Sequence, residues 1–160
     1  MALKGDRSHL ASHVDFTMND TTAERGGIVS VVGSGSGVSM DDSNATVGYV
    51  ANPSGVSPVG ILMGDTVNNN LTRLKLNPFK LEHQTGTKAP IWSKGVVTTD
   101  RVYPGHSPTA GGLAYVGHSG YIAASDVATD SANASTTRIV GRWLSAKDED
   151  GFAKVSINLP

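Results

Sequence analysis

The chain has 160 residues and no cysteine, and thirteen Lys and Arg against fourteen Asp and Glu leave a net charge of −1. That length supports one domain with its own core, burying about 68–70% of the unfolded surface, so neither a disulfide nor a metal staple is required. The charge balance argues against a nucleic-acid groove and against electrostatic recruitment to a membrane, and the missing thiols exclude a disulfide framework, a cysteine nucleophile and any Cys-ligated metal.

The first residues, MALKGDRSHLASHV, contain no apolar stretch of signal-peptide length, and no later run approaches the ~18 apolar residues of a membrane span. The expectation is a soluble chain made in a cytoplasm. His9 and His13 stand four apart, as two metal ligands on a helix would, but the zincin pattern needs glutamate directly after the first, and Leu10 is there. Val14, Phe16 and Met18 alternate with Asp15 and Thr17, which predicts an extended arm or edge strand. Residues 20–25 hold one helical turn at most, capped by Asp20, Thr21 or Thr22 and stopped by Gly26 and Gly27. These signals divide the chain into an N-terminal arm, 1–22, and a single β domain, 23–160.

From there, nineteen glycines and seven prolines punctuate brief runs rich in Val, Ile and Tyr. Predicted strands lie at 27–32 (GIVSVV), 46–51, 59–63, 71–76, 90–99, 113–117, 121–124, 137–145 and 152–159. Many short strands with frequent turn signals predict a mainly β protein, a small antiparallel β-barrel or β-sandwich with an extended N-terminal arm. The last run is the cleanest: Ala153, Val155, Ile157 and Leu159 fall on one face, and Lys154, Ser156 and Asn158 on the other. Residues 147–151 supply the reversal before it, with Gly151 free to take positive φ. Three polar stretches, 33–44, 99–112 and 125–136, read as loops.

No motif carries chemistry. VVGSGSGVSM has Val38 where a dinucleotide fingerprint needs its third glycine, and no helix follows. VGHSGY has Tyr121 where a nucleophile elbow needs glycine, and a strand follows the serine; it reads as a turn joining LAYVG to YIAA, with His118 and Ser119 on opposite faces of an extended chain. The acids before Gly151 lack calcium-loop spacing and read as a solvated or partner-facing tip. His83, His106 and His118 have no ligand-spaced partner. No catalytic residue, metal or cofactor is expected. Phe79, after Pro78 in an extended stretch, reads equally as an interface anchor or as core.

The segments PTAGGLAYVG, HSGYIAA, RIVGRW and DGFAKVSINLP resemble, in that order, a glycine-turned strand, a short return strand, a strand with a central glycine and the closing strand of bacteriophage capsid decoration (cement) proteins. The N-terminal stretch to Met40, with ANPSGVSPVGILMGDTV, resembles head proteins of tailed phages of aquatic bacteria. The insertion at 125–136 departs from the pattern. The resemblance implies a non-enzymatic virion protein on the outer surface of the icosahedral head, a homotrimer whose partners are the major capsid protein and its own copies. It also implies an arm clamp through Val14, Phe16 and Met18, with the tip Asp148, Glu149 and Asp150 facing either solvent or a basic coat surface, while Phe79 stays an interface anchor or a core residue. A rival reading is a tail or fibre adhesion module binding a host receptor through Tyr103 and Tyr121. A third is a hydrolase using Ser119 with His106 or His118.

Overall fold

The computed structural model describes residues 4–5, 16–35, 45–68, 81–127 and 137–160. The chain is almost entirely β, in two curled sheets and a small third one. Thirteen strands are defined among the described residues: β1 (Lys4–Gly5), β2 (Thr17–Met18), β3 (Ile28–Gly33), β4 (Thr46–Gly48), β5 (Pro58–Leu62), β6 (Asp65–Val67), β7 (Glu82–Gln84), β8 (Ile91–Trp92), β9 (Lys94–Thr99), β10 (Leu113–Val116), β11 (Ile122–Ala123), β12 (Ile139–Trp143) and β13 (Ala153–Asn158). The first sheet runs β1-β9-β13-β12-β10-β11, the second β2-β4-β3-β5-β8, and the third pairs β6 with β7.

The burial pattern explains why the strands look different in sequence. β13 alternates strictly because only its inner face is covered: Ala153, Val155 and Ile157 are buried, while Lys154 and Ser156 are half-buried and Asn158 is exposed. It is a central strand, paired along its whole length with β9 and also with β12. β3 instead reads as a continuous apolar run because the second sheet is covered on both faces. Ile28 and its cross-strand partner Ile61 pack into the main core with Val97, Val116, Val140, Trp143, Val155 and Ile157. Val29, Val47, Leu62 and Ile91 face the other way, into a second cluster with Met18 and Ala89. Each fully buried Ile, Leu or Val contributes about 1.5–3 kcal/mol relative to exposure.

The last two strands form the predicted antiparallel hairpin. Asp148 Oδ1 accepts from the Phe152 backbone N–H at 2.7 Å, and Gly151 closes the turn at φ 91°. The 113–117 and 121–124 runs also pair antiparallel, as β10 and β11. Residues 20–25 form no helix; an Asx turn, with Thr22 N–H donating to Asp20 Oδ1 at 2.9 Å, takes its place. Among the described strands two pairings are parallel, β2 with β4 and β6 with β7, so the second sheet is mixed and the third is parallel. The predicted strand at 71–76 lies outside the described residues.

The N-terminal arm needs correction at its inner end. Thr17 and Met18 pair with Thr46 and Val47 inside the second sheet, and Met18 is fully buried in the second core cluster. Met18 is therefore not a surface anchor: an unbranched apolar side chain at this register fills the chain's own interior, where its burial is worth more than exposure toward a partner. Phe16 is half-buried and packs on the same cluster. Thr17 and Met18 thus pair into the second sheet although they fall within the 1–22 stretch read as an arm.

Candidate interaction surface

The outer face of the six-stranded sheet carries the clearest unexplained feature. Leu113, Ile139 and Leu144 are 39, 52 and 41% exposed. Together with Gly141, Arg142, Ser156 and Asn158 they line a shallow depression of about 390 Å³.

A register shift builds this face. Leu113 opposes Arg142 and Ala114 opposes Gly141, but Tyr115 opposes Ile139, so Val140 is an extra residue in β12. In a regular strand, residues three apart point to opposite faces. The bulge cancels that rule: Ile139 and Arg142 are both exposed, and Val140 and Trp143 are both fully buried. Gly141 sits at the bulge because β13 passes so close that any Cβ there would overlap the Ser156 carbonyl oxygen. Arg142 Nη1 donates to the Gly111 carbonyl at 3.3 Å, and among the described residues no carboxylate pairs with the guanidinium.

A second cluster, of aromatic and imidazole rings, surrounds the 3-10 turn at His118–Gly120. Tyr103 lies 4.9 Å from His106, 5.6 Å from His118 and 6.3 Å from Tyr121, ring centre to ring centre. Arg101 lies 5.5 Å over the Tyr121 ring and pairs with Glu24, whose backbone carbonyl accepts the Tyr49 hydroxyl. Burial raises the Tyr49 pKa far above the ordinary phenol value, with Arg101 working against the shift, so the hydroxyl stays a donor.

Hydrogen bonds fix both imidazoles. Ala124 N–H donates to His106 Nδ1 at 3.1 Å, so the neutral ring carries its proton on Nε2 and its lone pair is spent. His118 Nδ1 lies 2.6 Å from the Ala51 carbonyl and must donate to it. Ser119 is not on an extended chain as expected; it occupies the left-handed region, φ 51° and ψ 39°, inside the 3-10 turn. Its Oγ makes no hydrogen bond to either histidine among the described residues.

The remaining expected contact residues are dispersed. Asp148, Glu149 and Asp150 are all exposed at the β12–β13 turn. Val14 and Phe79 lie outside the described residues. No family model matches the chain, and a search of curated proteins finds no match. The exposed trio Leu113, Ile139 and Leu144, with Arg142, did not emerge from sequence, because the extra residue in β12 breaks period two. The signal for it was present: an isolated glycine within an apolar strand, RIVGRW, marks a bulge.

One buried group sets an expected pH response. His83 on β7 is 8% exposed, its Nε2 lies 3.1 Å from Thr66 Oγ1 and its Nδ1 is buried with no partner among the described residues. Burial lowers its pKa below the usual imidazole value, partly offset by the Asp65 carboxylate. The unfolded chain therefore takes up this proton first as pH falls below about 6.5, and stability declines through that range; above it the contribution is fully present. Urea midpoints measured from about pH 7 down to pH 5 should fall in the parent and fall less steeply in His83→Gln. Equal slopes would mean that His83 does not report burial in this way.

Proposed function

We propose that this chain is a structural virion protein that binds the outer surface of an icosahedral phage head and stabilises the expanded shell. Two things support the reading. The segments PTAGGLAYVG, HSGYIAA, RIVGRW and DGFAKVSINLP resemble the strands and turns of capsid decoration proteins. The observation that carries it is the exposed apolar face formed by Leu113 on β10, Ile139 on β12 and Leu144 just after β12, in that same region. A sheet face with three large apolar side chains around a shallow depression suits a protein that works by contact. Many weak contacts repeated over a symmetric shell then add through multivalency. The partners proposed are the major capsid protein and further copies of this chain, as a homotrimer on the head surface.

Ile139→Lys tests the face. The side chain is half exposed, so the fold should keep its stability within about 0.5 kcal/mol. Binding to expanded heads of the encoding virus should weaken tenfold or more, read as unbound protein after sedimentation. Unchanged binding would remove this face from the proposal.

The adhesion-module reading has one observation in its favour. Tyr103 and Tyr121, its expected contact rings, do meet, edge to face and beside two histidines. Binding to host cells that is lost on Tyr103→Ala, with no binding to heads, would favour it.

A further inference from the structure

We infer that the depression on the outer sheet face receives the β12–β13 turn of a second copy of this chain. The inference rests on reading this face as a contact surface; the depression is assigned to a second copy, and head binding then depends on the assembled copies, so a variant that breaks this contact weakens both.

The two halves of the contact are present on one chain and are complementary. The depression is lined by three apolar side chains, Leu113, Ile139 and Leu144, and by one cation, Arg142. That guanidinium spends one N–H on the Gly111 carbonyl, and among the described residues no carboxylate neutralises it. Arginine has five donors in a fixed fork suited to a carboxylate. Ser156 and Asn158 add hydrogen-bonding groups beside it.

The turn is the opposite kind of surface. Lys147, Asp148, Glu149 and Asp150 are all exposed, and the turn is net negative. Asp148 is partly occupied in capping the turn through the Phe152 N–H. Glu149 and Asp150 have no cation partner among the described residues. Phe152, half-buried at the base of the turn, supplies an apolar ring next to these carboxylates. An acidic, aromatic-based projection and an apolar depression that includes an arginine are matched in charge and in polarity.

The turn and the depression lie on the same hairpin, at its tip and on its flank, and among the described residues no ion pair joins them within one chain. Satisfying one with the other requires two copies. The contact joins different surfaces on the two partners, so it is heterologous; repeated, it closes a ring or extends a chain of subunits.

The test is self-association of the full chain in the absence of heads, by sedimentation equilibrium at low and high salt. The parent should associate, and less so at high salt. Arg142→Glu alone, and Glu149→Arg with Asp150→Arg, should each weaken association about tenfold or more, while the combined triple variant should restore it. Circular dichroism is the check that each variant is folded. A parent that stays monomeric at its highest soluble concentration overturns the inference, as does association indifferent to Arg142→Glu. A monomer that binds heads and loses that binding in Arg142→Glu also overturns it, and assigns the depression to the shell protein instead. Self-association without head binding would leave this inference standing and remove the decoration reading, so the two failures are distinguishable.

Discussion

Trp143→Ala is expected to cost about 3–5 kcal/mol of stability, the range for removing a fully buried large aromatic side chain. Trp143 is the largest of the fully buried side chains and sits in the main core with Val97, Val116, Val140 and Val155. Its indole N–H reaches the Ala123 carbonyl at 3.4 Å, which ties β12 to the β11 edge. Truncation opens a cavity between the two sheets and takes that donor away from the carbonyl in an apolar site. Domains have only about 5–15 kcal/mol in total, so the variant should lose a large share of its margin. At this chain length the thermal midpoint should drop by about 10 °C or more, followed by far-UV circular dichroism. A shift under about 2 °C would show that the packing between sheets does not depend on this residue.

Gly141→Ala should cost about 3 kcal/mol, the upper end of the usual overpacking range. The obstacle is backbone. The new methyl would overlap the Ser156 carbonyl, and β12 and β13 pair at Gly141 and Ile157, Arg142 and Ser156, and Trp143 and Val155. No rotamer change relieves a clash with a carbonyl of the neighbouring strand, so the strands must separate or the bulge must shift. A shifted bulge would move Ile139 relative to Arg142 and dismantle the exposed face. The expected result is therefore double: a lower urea midpoint, and loss of whatever binding the face supports even where the variant is still folded. Trp143→Ala, by contrast, should spare the outer face in the folded fraction. A Gly141→Ala protein of parental stability would mean that β12 and β13 are not held as closely as the geometry requires.

The fold class was legible because its signals are local. Strict alternation in 152–159 fixed β13 and its wet face, and glycine with an acidic turn fixed the hairpin. Two kinds of feature were not legible. β6 and β7 are three residues each and pair in parallel across an intervening segment, so neither carries a period long enough to read. Met18 looked like part of an alternating arm, but alternation alone does not say whether the covered face meets another molecule or the chain's own interior. The exposed face was hidden for a sharper reason: one extra residue, Val140, reverses the side-chain parity on which sequence reading depends. Asp148, Glu149 and Asp150 were found as a tip because charge runs at turns are solvated on simple physical grounds.

The measurement that bears most directly on the account is co-sedimentation of the purified protein with expanded, undecorated heads of the encoding virus, titrated to saturation. The account predicts saturable binding, at a copy number matching the three-fold and quasi-three-fold positions of the lattice. Folded protein that stays in the supernatant at every concentration would contradict it.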